Sequence, residues 1–191
     1  TNEDVSFEES GRAETHASLS GATHFTAEDD EDALDIVRNL VSFLPQNNLE
    51  TCPVKASSDP VERGCENLQS MVPDDPLKPY DVVEVIGELV DDGDFLEVQA
   101  DFAQNIVVGF GRLDGQPIGI VGNQPNHLAG CLDIDASVKA ARATSTSVSQ
   151  SISLLGESSV WRKSCPYKRL SRCRALPAAS SASRVKLRVV R

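Results

Sequence analysis

At 191 residues, with 40% hydrophobic and 25% charged side chains, the chain can bury one sizeable core, or one small domain plus parts of another. Its formal net charge of −11 is unevenly divided: residues 1–140 hold 28 acidic and 7 basic side chains, net −21, while residues 141–191 hold 1 acidic and 11 basic, net +10. An acidic body whose lysines are Lys55, Lys78 and Lys139 repels phosphate backbones and anionic membrane surfaces, which excludes nucleic acid and membrane as natural partners for it.

The acidity fits solvation in a salty cytoplasm as well as an ordinary acidic surface. The sequence has no run of about 18 apolar residues and no basic-then-apolar leader, so neither a membrane span nor a secretory signal is expected, and a cytoplasmic location is. Thr1 in place of Met predicts a start further upstream. Cys52, Cys65, Cys131, Cys165 and Cys173 are odd in number and never in a C-x-x-C arrangement, which points to a reducing compartment and away from a structural zinc site.

In residues 1–28, Gly11, Ser20 and Gly21 mark tight backbone positions in loop and short extended pieces. His16 and His24 read as hydrogen-bonding loop residues, because no third ligand type stands at metal-site spacing. Residues 29–44 carry the clearest helical period, with Ala33, Leu34, Ile36, Val37, Leu40, Val41, Phe43 and Leu44 at i, i+3, i+4 and i+7. The acidic run 28–32 favours the positive end of that helix dipole, and Pro45 stops the helix. Residues 45–79 contain six of the ten prolines, so they predict an extended linker lying over a surface, with a domain boundary within it.

From Tyr80 the pattern is helical again, with Val82, Val83, Ile86, Leu89 and Val90 on one face, and residues 91–94 close it as a turn. The aspartates there lack the alternating spacing and closing glutamate of a calcium loop. A short strand over 95–98 and a longer one over 106–113 follow, and Asp114 with Gly115 forms a two-residue hairpin turn whose central positions need positive φ. Residues 118–121 return as the partner strand. Glycines at 109, 111, 119 and 122 weaken strands unless a backbone or a ligand comes close, and they match no nucleotide-binding pattern. Gly122, Asn123, Gln124 and Pro125 leave the hairpin as a backbone-exposing loop, and a helix is expected from near Ser137. No nucleophile, base and orienter can be assembled from these residues; the arrangement predicts a site made of backbone amides.

Several pieces together resemble one family. They are residues 1–5, the G-x-A-x-x-H-x-x-x-S-G string from Gly11 to Gly21, and residues 72–74, 78–82, 90–93, 105–110, 119–125 and 130–141. The family is the carboxyltransferase (β) subunits of biotin-dependent acyl-CoA carboxylases, of the propionyl-CoA carboxylase and methylmalonyl-CoA decarboxylase type. The resemblance spans residues 1 to about 142; it departs at Arg12, where the family has a second glycine, and at residues 126–128. It implies an α/β fold of two fused crotonase-like ββα domains, with residues 1–58 at the end of the first, 59–142 as linker and start of the second, and a basic Ser/Arg-rich tail, 143–191, without regular structure.

It further implies carboxyl transfer between carboxybiotin on a carrier domain and an acyl-CoA such as propionyl-CoA or methylmalonyl-CoA, with no metal in this chain. The implied partners are a biotin carboxylase and biotin carrier subunit and further copies in a hexamer-type homo-oligomer. In the family, two backbone oxyanion holes hold the thioester enolate and the biotin ureido oxygen; both fall outside the intact match, so the chain is expected to be inactive alone. Gly122, Asn123 and Gln124 are the residues expected to line the biotin side. Regrouping the codons of residues 146–154 and 184–191 can encode the family's continuation and its second oxyanion motif, so the tail reads as frame-shifted. The competing reading is a non-catalytic acidic interaction module with a basic RNA-binding tail.

Overall fold

The computed structural model describes residues 13–145 apart from 48, 61, 62, 66, 74, 76 and 77, together with residues 151–153 and 187–190. Expectations for residues 1–12 and for most of the tail lie outside these. Ala13–Thr15 is one α-helical turn that continues as a wider π turn, His16–Ser20, closed by Gly21 at φ 59°.

Helix α1 (Asp30–Val41) begins where the acidic run places it. The Asp29 carboxylate accepts from Asp32 N at 2.8 Å, and Glu28 N donates to the Asp32 carboxylate at 3.1 Å, so two amide donors at the helix start are satisfied reciprocally. The apolar stripe that defines the helix in sequence is not covered: Leu34, Val37 and Val41 are each more than half exposed. The chain is anchored just beyond the helix instead. Phe43 is buried 5.8 Å from the Phe110 ring, and the Arg112 guanidinium lies 3.9 Å over the Phe43 centroid. Arg112 also donates to Ser42 O at 3.1 Å, to Ser42 Oγ at 2.7 Å and to the Asp94 carboxylate at 3.1 Å.

The described residues of 45–79 form no strand, and Lys55 N donates to Gly115 O at 3.0 Å, which lays that part of the segment over the hairpin end. Within this proline-rich linker one helical turn forms, α2 (Leu68–Met71). No proline interrupts residues 61–72, and burying Leu68 stabilises the single turn by about 1.5–3 kcal/mol. Helix α3 (Val82–Leu89) is capped by Asp81, whose carboxylate accepts from Val83 N at 2.8 Å. It buries Val82, Val85, Ile86 and Leu89.

The sheet has the order β1-β2-β3-β5-β4, with every neighbouring pair antiparallel: β1 (Leu96–Glu97), β2 (Ile106–Leu113), β3 (Gln116–Asn123), β4 (Ser151–Ser153) and β5 (Leu187–Val190). The long hairpin β2–β3 turns at Asp114 (φ 54°) and Gly115 (φ 77°), as the Asp-Gly pair predicts. The buried Asp91 carboxylate holds the turn by accepting from Asp114 N at 3.2 Å and Gly115 N at 2.7 Å. Val107, Leu113, Ile118 and Ile120 pack with α2 and α3 into one core.

Gly109 and Gly111 serve this core rather than a ligand. A Cβ at 109 would strike the Leu96 carbonyl and the Phe95 ring, and one at 111 would stand 2.7 Å from Val90 Cγ1. Helix α4 (Ile134–Ser145) packs on β2 and β3, and it starts at Ile134 rather than near Ser137. The Asp133 carboxylate takes the capping role, accepting from Ala136 N at 2.8 Å, while Ser137 Oγ donates back to Asp133 O at 2.7 Å. Helix α4 runs to Ser145, and the described residues beyond it form β4 and β5.

Candidate functional site

The loop leaving β3 is built by side chains that turn inward on the loop itself. Asn123 Nδ2 donates to Gly130 O at 2.6 Å. The Gln124 side chain is satisfied at both ends, its Nε2 donating to the Asp81 carboxylate at 2.7 Å and its Oε1 accepting from Val82 N at 3.1 Å, so it ties the loop to the start of α3. Asn105, also buried, is the hub below: its O accepts from Gln124 N at 3.0 Å and its Nδ2 donates to Cys131 O at 2.7 Å. Gly122 is buried in β3, opposite Val107 of β2 and Leu187 of β5. Of the residues expected to line a biotin site, the two polar side chains are thus committed to structure, and what the loop can offer a ligand is backbone.

That backbone is unusual. Leu128 (φ 49°), Ala129 (φ 52°) and Gly130 (φ 69°) are consecutive left-handed residues, a geometry that costs roughly 1–2 kcal/mol at each residue bearing a Cβ. Three turn bonds hold it: His127 N to Gln124 O at 3.1 Å, Gly130 N to His127 O at 2.8 Å and Cys131 N to Leu128 O at 3.0 Å. Strained backbone held by its surroundings is a mark of functional sites.

Beside the loop lies an open hollow of about 440 Å³, lined by Ser18, Asp101, Ala103, Gln104, Asn105, His127, Leu128 and Asp133. The amide of Ala136 and the Asn105 side chain hold the Asp133 carboxyl below the usual carboxylate range. Behind the hollow, Lys139 is 1% exposed, and burial lowers its pKa to about 8, against the pull of Glu97 and Asp101. Burial raises Glu97.

His16 and His24 enter through their carbonyls: His16 O accepts from Ser20 Oγ at 3.0 Å and His24 O from Gln99 N at 2.9 Å. No cluster of three or more His, Cys, Asp or Glu suited to a metal ion occurs among the described residues. Nor is any helix among them long and apolar enough to cross a membrane. The residues that sequence reasoning missed are Asn105 and Lys139. The one available signal was that Lys139, among few lysines in an acidic body, shares a helical face with Ala136.

Comparison with known proteins gives the family. The carboxyl transferase domain family matches residues 1–156. The propionyl-CoA carboxylase carboxyltransferase subunit of Haloferax mediterranei is 54% identical over 142 residues, 74% of this chain and 28% of that protein. The biotin-dependent acetyl-/propionyl-coenzyme A carboxylase beta5 subunit of Mycobacterium tuberculosis is 52% identical over 153 residues, covering 76% of this chain and 28% of its own length. In structure the chain superposes on the transcarboxylase 12S subunit, solved as a hexamer with hydrolysed methylmalonyl-coenzyme A bound, with a TM-score of 0.70 and 50% identity over 74% of this chain and 27% of that one. The chain thus spans little more than a quarter of the length of these relatives, and its α/β structure is part of a crotonase-like fold. It belongs to the carboxyl transferase domain family.

Proposed function

We propose that this chain supplies part of the wall of a carboxyltransferase site, at which a carboxyl group moves between carboxybiotin and an acyl-CoA of the propionyl or methylmalonyl type. The observation that carries the reading is the loop from Gly122 to Cys131, whose Asn123 side chain binds the loop and whose Gln124 side chain binds the start of α3, while three strained left-handed residues fix its backbone. Chemistry done by backbone dipoles needs that rigidity: one preorganised donor at a developing oxyanion is worth about 3–4 kcal/mol only if it does not reorganise. Gly122, Asn123 and Gln124 line the biotin side as the base of this loop, and acyl-CoA binds away from the hollow, since Asp101 and Asp133 repel its phosphates.

The relatives' names support biotin and acyl-CoA as cofactor and substrate, and the 12S hexamer supports a homo-oligomer; a biotin carboxylase and a carrier domain are the partners this reading implies. The division into an end of one domain, residues 1–58, and the start of the next, 59–142, belongs to the same reading, as do a cytoplasmic location and a frame-shifted tail.

Titration of the ¹⁵N-labelled chain with biotinyl-lysine tests the site. Shifts confined to the amides of residues 122–131 are expected, and an unchanged spectrum at millimolar ligand, or shifts elsewhere only, refutes the assignment.

A further inference from the structure

Lys139 stands out as a buried cation whose ammonium donates to main-chain carbonyls, Gln99 O at 2.8 Å and Phe102 O at 2.7 Å. Both acceptors belong to the stretch joining β1 to β2, where Gln99 (φ 55°) and Ala103 (φ 46°) are left-handed without being glycine. Such residues persist only where surrounding contacts over-determine them. Lys139 supplies two of those contacts, and the turn bonds Phe102 N to Gln99 O and Ile106 N to Ala103 O, each 3.1 Å, supply two more.

Three walls of the hollow hang from this stretch, and Asp133 at the start of α4 completes the lining. The first wall is the stretch itself, ending at Asn105. The second is the 124–131 loop, held by Asn105 through Gln124 N and Cys131 O. The third is the turn that bears Ser18; it is tied to the stretch because Gln99 Nε2 donates to Gly21 O, Gln99 N donates to His24 O, and the Phe102 ring fills the space a Cβ at Gly21 would need.

We propose that Lys139 is a positioning residue that holds the three walls of the hollow in register from behind, by clamping the carbonyls of Gln99 and Phe102. The groups facing its ammonium are the carboxylates of Glu97 on β1 and Asp101 on the loop. The inference deepens the carboxyltransferase reading, but its test involves no ligand, so failure of the clamp and failure of ligand binding are distinguishable.

Amide hydrogen exchange compares the full chain with Lys139→Met, which keeps the length of the side chain and removes its donors. Exchange at Phe102, Ile106, Gln124, His127, Gly130 and Cys131 is expected to rise at least about tenfold, while Val108 and Ile120 in the hairpin stay protected. Unchanged wall amides, or an equal rise through the hairpin, overturn the proposal, because the second outcome makes Lys139 a mere stabiliser. If Lys139→Met does not fold, a pH titration of the unaltered chain decides. Carbonyl ¹³C shifts of Gln99 and Phe102 and amide shifts of Gln124 and Cys131 are expected to follow the Lys139 amine with one midpoint. Wall amides that ignore that midpoint refute the clamp.

Discussion

Helices α1 and α3 are built alike and used differently. Each is amphipathic, and each opens on an aspartate, Asp29 or Asp81, whose carboxylate caps its first turn. Yet α3 buries Val82, Val85, Ile86 and Leu89 against the hairpin, whereas α1 buries none of its own residues and is held by Phe43 and Ser42 just past its end. Periodicity therefore identifies an apolar face, and says nothing about whether the rest of the chain brings a partner to it. The open stripe of α1 is the kind of surface that larger assemblies cover.

The sharpest way to break the comparison is to truncate one residue on each helix. Ile86→Ala is expected to destabilise the chain by about 2–5 kcal/mol, because a fully buried site leaves a cavity. Val37→Ala, at a half-exposed site, is expected to change it by less than about 0.5 kcal/mol. Urea unfolding measures both, and equal effects would mean that α1 is packed after all.

The next effect is electrostatic and belongs to the buried side of the molecule. Lys139 has its amine lowered to about 8 by burial, so between about 8 and the ordinary lysine value near 10.5 the unfolded chain binds one more proton than the folded one. Stability should therefore rise with pH across that window, by at most about 3 kcal/mol. Burial pushes Tyr80 up to about 12, which opposes the gain once the unfolded tyrosine ionises near pH 10. Denaturation midpoints from pH 7 to 10 should climb in the unaltered chain and stay flatter in Lys139→Met.

Asp91→Ala comes third. It removes the acceptor for the Asp114 and Gly115 amides at the hairpin turn, and a loss of about 1–3 kcal/mol is expected in the same urea measurement. The smallest effect on stability is expected from Leu34→Ser with Val41→Ser, within about 0.5 kcal/mol at each position. This pair should lower self-association in sedimentation velocity if the open stripe of α1 is sticky.

The local chemistry of the fold was legible in sequence wherever one short stretch determined it. Asp114 with Gly115 can hardly form anything but a tight turn, and the acidic run 28–32 with Pro45 brackets α1. What escaped depends on residues far apart in the chain. The glycines at 109 and 111 left open whether a backbone or a ligand comes close, and they make room for the Leu96 backbone, Phe95 and Val90. The structural role of Gln124, whose side chain caps the start of α3, depends on Val82 forty-two positions away. The start of α4 was misplaced because Asp133 and Ser137 are both good capping residues, and only the fold decides that the aspartate takes the role. Lys139 was missed because its place on the face of Ala136 marks it only faintly and its partners are two main-chain oxygens on another loop. For the candidate site, sequence predicts backbone chemistry, and the long-range contacts of Asn105 and Gln124 that make the loop rigid could not be read from it.

The most direct test of the central claim is a transplant. Residues 105–131 of this chain would replace the matching segment of the Haloferax mediterranei carboxyltransferase subunit, and propionyl-CoA carboxylation by the assembled enzyme would be measured. A working wall predicts kcat/KM within about tenfold of the parent, a difference of roughly 1.4 kcal/mol in barrier. A folded, assembled chimera slowed more than about a thousandfold, roughly 4 kcal/mol, would contradict the claim that this loop is carboxyltransferase machinery.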